Sequence, residues 1–129
     1  MDIDLSPLLD ALPDLEAVYV FGSRATGDAR PDSDLDIAVL APAPLDPVER
    51  FYVQERLAGH LGLDVDLVDL RSASTVMRAE VLRTGAVVLD RDPTTRAFWE
   101  VTAMSAYALL NEERRGILED VKRRGRVYG

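Results

Sequence analysis

Short apolar blocks, each closed by glycine, proline or aspartate, divide this chain into alternating strand-like and helix-like segments. Val18-Tyr19-Val20-Phe21 is β-branched and aromatic and stops abruptly at Gly22, which predicts a buried strand running into a turn. Asp34-Leu35-Asp36-Ile37-Ala38-Val39-Leu40 alternates polar with apolar positions before a continuous apolar end. With a period of two, Asp34 and Asp36 share one face of such a strand and Leu35 and Ile37 the other. Residues 63–70 alternate again with Asp66 on the polar side, and residues 86–89 are a short fourth strand.

Helix signals fill the intervals. Ser6-Pro7 opens a helical turn or two over residues 8–12, and residues 22–30 hold a short helix and its exit. Asp46-Pro47-Val48-Glu49 combines a cap residue, a first-position proline and an acid at the third position. It predicts a helix to about residue 58, with Val48, Phe51, Tyr52 and Glu55 near one face and Gly59 and Gly62 at its end. Ser72 or Ser74 caps another helix that runs through Arg83 and stops at Gly85. Asp92-Pro93 begins a long helix whose apolar face includes Phe98, Trp99, Val101, Ala103, Met104, Tyr107 and Leu110. Polar residues 111–115 are a candidate break before Ile117, Leu118 and Val121 renew the stripe. The order predicts an α/β fold with a small mixed, twisted sheet, helices mainly on one side and the carboxylates at an open cleft. All of residues 1–129 are expected to form one domain that includes a C-terminal helical segment from about residue 93.

Composition narrows the chemistry. The chain has 129 residues, 47% of them hydrophobic, which suffices for one core. No stretch approaches the roughly 20 apolar residues of a membrane span, and Met1-Asp2-Ile3-Asp4 lacks the features of a secretory signal. A cytoplasmic location with no membrane association is expected. Without cysteine there are no disulfides or thiolate metal sites, so any metal must be held by oxygen or by His60. His60 itself reads as a surface residue at a helix end, because no partner completes a zinc spacing. The net charge of −8 is uneven: fifteen acidic residues face four basic ones up to Asp69, and eight face eleven beyond it. Such an acidic first half disfavours direct binding of bare nucleic acid, yet divalent cations could neutralise a cluster of its carboxylates.

The chemically distinctive feature is Gly22-Ser23 followed, after ten residues, by Asp34-Leu35-Asp36, with a further acidic strand later. Glycine permits close approach of the backbone to a phosphate, and a serine hydroxyl can hydrogen-bond its oxygens. Two aspartates separated by one strand residue can bridge two divalent ions about 3.5 to 4 Å apart, and a third carboxylate can complete the site. Asp66 is preferred as that third group; Asp64 shares its parity but lies nearer the strand entrance, and Asp69 points to the other face. Taken alone, the acidic run would be a solvated turn and edge strand, so the reading depends on the combination.

Through Gly22-Ser23-Arg24-Ala25-Thr26-Gly27 and Ser33-Asp34-Leu35-Asp36-Ile37, the chain resembles the nucleotidyltransferase superfamily that includes DNA polymerase beta. The resemblance is closer to its minimal prokaryotic members, the MntA-like antitoxins that act beside HepT-like toxins of HEPN ribonuclease fold. It implies that Gly22, Ser23 and Arg24 bind the nucleotide, with Arg24 equally compatible with a surface role. Asp34, Asp36 and Asp66 would be catalytic and hold Mg²⁺, with two ions expected and ATP as co-substrate. The implied reaction transfers AMP to a tyrosine hydroxyl of the HEPN toxin, with loss of pyrophosphate. The implied assembly is a monomer or a hetero-oligomer with that toxin. The rival readings are a transferase acting on a small hydroxylated molecule such as an aminoglycoside, and an antitoxin that inhibits by binding alone. Trp99, Met104, Tyr107 and Leu110 read as core or partner-helix packing, residues 122–126 as a solvated basic end or a contact with an acidic partner, and Tyr128 as a candidate for self-modification.

Overall fold

The computed structural model describes the backbone of residues 3–128 and the side chains of residues 3–123. The side chains of Tyr128 and of residues 124–126 lie outside the described residues. The elements follow in the order α1 (Ser6–Ala11), β1 (Ala17–Phe21), α2 (Ser23–Thr26), β2 (Leu35–Leu40), α3 (Pro47–Leu61), β3 (Val65–Asp69), α4 (Thr75–Thr84), β4 (Ala86–Asp90) and α5 (Pro93–Tyr128). They build a four-stranded sheet in the order β3-β2-β1-β4. β1 pairs antiparallel with both β2 and β4, and β2 pairs parallel with β3. The mixed sheet is the one expected. The central position of β1 accounts for its uninterrupted apolar sequence, since all five of its residues are buried.

The helices divide between the two faces of the sheet rather than lying mainly on one side. Val18, Val20, Leu35, Ile37, Val39, Val65 and Leu67 pack against Leu8 of α1, Leu12 just after it, and Val53 and Leu57 of α3. Ala17, Tyr19, Phe21, Ala38 and Leu40 pack against Val81 of α4 and Trp99 and Ala103 of α5. Strand alternation explains the division: β1 and β2 are apolar at both parities, so each face needs a cover. At the start of β2, Asp36 falls on the α4/α5 face, where the apolar layer gives way to carboxylates.

Two helices differ from expectation. α3 ends at Gly62, whose φ of 68° forms a left-handed cap, and Gly59 lies inside the helix. It buries Val53 and Leu57, while Val48, Phe51 and Tyr52 are exposed. The rotation has a polar cause. β3 is an edge strand, and the backbone groups of Leu67 are satisfied by α3: Arg50 Nη1 donates to the Leu67 carbonyl at 2.9 Å, and the Leu67 amide donates to Gln54 Oε1 at 3.0 Å. Meanwhile α5 runs without a break through residues 111–115, because Glu112, Glu113, Arg114 and Arg115 are good helix formers. Ser6 is not a cap, since α1 begins at Ser6 itself, behind Leu5 and without a side-chain cap hydrogen bond, but the other caps behave as read. Asp46, Ser74 and Asp92 accept the amides of Glu49, Met77 and Thr95 at 3.1 Å each. No described helix is long and apolar enough to cross a membrane.

The two sides of α3 should differ sharply in mutation. Leu57→Ala, at a fully buried position, is expected to lower the unfolding free energy by about 2–4 kcal/mol in urea titrations. Tyr52→Ala, at a largely exposed one, should change it by less than about 0.5 kcal/mol. Equal losses at the two positions would contradict the observed rotation of the helix.

Candidate active site

β1 delivers the chain to Gly22, which adopts φ 71° and starts the single turn of α2 at Ser23. An L-residue disfavours that backbone region, and the available space is equally restrictive: a Cβ on Gly22 would collide with Oδ2 of Asp36. The collision is a consequence of strand register, since Asp36 pairs with Phe21, the residue before Gly22. On its other side Asp36 pairs with Asp66 of β3. A glycine turn and two carboxylates from different strands are therefore brought together by the sheet. Asp34 approaches from outside the ladder, as an exposed residue preceding β2.

The electrostatics of this group are unfavourable to the protein alone. Burial holds the Asp36 carboxyl above the usual carboxylate range, and the negative charges of Asp66 and then Asp34 push in the same direction. Among the described residues, none donates a hydrogen bond to the side chains of Asp34, Asp36 or Asp66. Nor do any three acidic or histidine side chains among the described residues meet at a point as a ready-made metal cage would. The donor set is nevertheless all oxygen, anionic and free of competing cations, which suits a hard divalent ion such as Mg²⁺.

The two alternatives for the third carboxylate occupy different environments. Asp69 is buried and accepts from the Leu45 amide at 2.9 Å, the Arg71 amide at 3.0 Å and Ser72 Oγ at 2.8 Å, so its oxygens serve the loops. Asp64 precedes β3, and its carbonyl accepts the Leu35 amide at 2.9 Å. Asp66 is the one in register with Asp36, and it opens on a shallow cleft of about 430 Å³ shared with Ser72, Ser74 and Met77. His60 is exposed and meets Asp4 at 2.8 Å, and among the described residues it belongs to no cluster that could hold a metal.

Ser23 sits half-exposed at the first position of α2, beside the glycine turn. Arg24, read from the sequence as a nucleotide contact or a surface residue, is engaged within the protein. Its guanidinium turns back on the following loop, where Nε and Nη2 donate to the Ser33 carbonyl at 3.1 and 2.6 Å. Thr84, at the end of α4, was not legible as part of the site: Gly22 donates its amide to Thr84 Oγ1 at 3.2 Å, and that hydroxyl donates to the Glu80 carbonyl at 2.9 Å. No local pattern links residues 62 positions apart. A separate cavity of about 510 Å³ between α4 and α5, lined in part by Tyr19, Met104 and Tyr107, contains none of the clustered carboxylates. Trp99 is core, tilted against Tyr19 with ring centroids 6.2 Å apart.

Comparison with known proteins agrees with this fold. The family model described as Polymerase beta, Nucleotidyltransferase matches residues 4–94. The chain is 42% identical over 114 residues to the protein adenylyltransferase MntA of Shewanella oneidensis, covering 88% of this chain and 81% of that protein. Among solved structures it is similar to a toxin-antitoxin complex with AMP-PNP, with a TM-score of 0.83, 40% identity and coverage of 91% of this chain and 94% of that one. It is also similar to a chain in the complex of tri-AMPylated Shewanella oneidensis HEPN toxin with MNT antitoxin, with a TM-score of 0.76, 38% identity and coverage of 91% of each chain. The likeness holds in sequence and in overall shape, and the chain belongs to the polymerase beta nucleotidyltransferase family, among its MntA-like members.

Proposed function

We propose that this protein is an adenylyltransferase antitoxin that moves AMP from ATP to a tyrosine hydroxyl of a HEPN toxin and thereby neutralises it. The observation that carries this reading is the register that stacks Asp36 on Asp66 beside Gly22. The similarity to MntA supplies the acceptor class. Asp34, Asp36 and Asp66 would hold divalent cations, two Mg²⁺ ions in this reading, which when bound neutralise the triphosphate and favour the ionised acceptor. Gly22 lets the triphosphate approach the backbone, and Ser23 offers it a hydroxyl. The acceptor oxygen forms a bond to the α-phosphorus while the bond to the β-phosphate oxygen breaks, releasing pyrophosphate. A tyrosine hydroxyl has a free pKa of about 10, so its proton must be removed. Asp66, the more exposed of the two strand carboxylates, is the base nearest solvent. The cytoplasm is the compartment in which ATP and such a toxin meet.

Incubation of the HEPN partner with this protein, ATP and Mg²⁺ is expected to add about 329 Da per AMP transferred, read by intact mass. Asp34→Asn/Asp36→Asn should abolish the addition while still binding the partner. Neutralisation by that double variant without any mass change would favour inhibition by binding alone, and labelling of a small hydroxylated molecule in place of the partner would favour the aminoglycoside-type reading.

Gly22→Ala tests the close approach. The left-handed φ and the collision with Asp36 act together, and the substitution should reduce the transfer rate by about 100-fold or more, since displacements near 1 Å at a reacting site have that effect. Near-wild-type transfer by this variant would mean that the turn is not part of the site.

The crowded carboxylates also predict a pH dependence of stability. With divalent cations chelated, a raised Asp36 pKa means that the folded state binds its proton more tightly than the unfolded state. Stability from this group is present below the ordinary carboxylate range and lost as pH rises through the raised value. Asp36→Asn should therefore raise the Tm at pH 7 and narrow the difference between pH 7 and about pH 4. A lower Tm at pH 7 would show that Asp36 stabilises the fold.

A further inference from the structure

Asp36 and Asp66 are held by the sheet, whereas Asp34 is not. It lies one residue before β2, exposed, at the end of the loop that leaves α2 at Gly27. Two restraints act next to it. The Leu35 amide donates to the Asp64 carbonyl at 2.9 Å on one side. On the other, Arg24 directs Nε and Nη2 onto the single Ser33 carbonyl at 3.1 and 2.6 Å. Ser33 closes its own turn, accepting the Arg30 amide on Oγ at 2.8 Å and donating its amide to the Arg30 carbonyl at 3.0 Å. Arg24 thus grips a compact turn at the peptide that leads directly into Asp34.

We infer that Arg24 is a positioning residue that sets the reach of Asp34 toward the divalent cation, and that it does not serve as a phosphate contact; this inference rests on the functional reading above. The physical basis is the planar guanidinium, which presents two N–H groups in a fixed fork and fixes the direction of the carbonyl as well as its distance. Because Arg24 immediately follows Ser23, the clamp also couples the turn beside the phosphate to the loop carrying Asp34. Asp36, paired on both sides, is insulated from it. A lysine at this position keeps the charge and loses the fork.

The test is Mn²⁺ binding, measured by electron paramagnetic resonance in the presence of AMP-PNP, together with steady-state transfer kinetics. Arg24→Met and Arg24→Lys should each weaken Mn²⁺ binding by about 10-fold or more, the usual effect of removing a group that orients a ligand. In both, kcat should fall while the KM for ATP changes by less than about 3-fold. In an Asp34→Asn background, Arg24→Met should weaken Mn²⁺ binding by less than about 2-fold further, because the group that it positions is already lost. Thermal unfolding checks that each variant is folded, and the lysine variant carries the test if the methionine variant is not. Unchanged Mn²⁺ affinity in the folded variants overturns the inference. So does a KM for ATP that rises about 10-fold in Arg24→Met and returns to normal in Arg24→Lys, the pattern of a phosphate contact. A wild-type chain that binds no Mn²⁺ overturns the metal-site reading and this inference with it; transfer lost only on mutation of the aspartates leaves the metal site standing and refutes the role of Arg24.

Discussion

The approach of the Asp36 carboxylate to the backbone of Gly22 is the constraint on which the rest of the site depends. It requires a residue without a Cβ, a left-handed φ and the pairing of Phe21 with Asp36 across β1 and β2. A shift of one residue in that pairing would carry Asp36 to the opposite face, against the apolar side of α1 and α3, and turn Leu35 and Ile37 toward α4 and α5. The register is protected by the two apolar layers, which fill only if the alternation along β1 and β2 is maintained. Hydrophobic packing on both faces therefore places a polar group that it does not itself contact.

The same sheet assigns opposite roles to two aspartates three residues apart. Asp69 follows the parity of Val65 and Leu67, is buried and is satisfied by three donors from neighbouring loops. It ties the loop before α3 to the turn before α4. Asp66 takes the other parity, stays exposed and receives no donor among the described residues. One carboxylate holds the scaffold and the other is left with unmet charge beside Asp36. That unmet charge destabilises the chain on its own and becomes an asset once a divalent cation and a triphosphate are present.

Much of this was legible in the chain. The strands and caps follow from period-two alternation and from Asp-Pro and Ser signals that act within a few residues, and the structure reproduces them to within a residue or two. α3 and α5 were less legible for a shared reason. The inward face of α3 is selected by Arg50 and Gln54 reaching the open edge of β3, and the continuity of α5 depends on helix propensity outweighing a loss of amphipathic pattern.

By itself the sequence determined which chemistry is possible: a glycine before a serine, two aspartates one residue apart, oxygen donors only, and an apolar pattern with room for a two-faced sheet. Those are properties of residue type and short spacing. Tertiary structure decided which carboxylate joins the pair, which way Arg24 turns and that Thr84 holds the Gly22 amide. Each of these depends on strand register or on contacts between segments distant in the chain, and long-range pairing is set by the packing of the whole sheet.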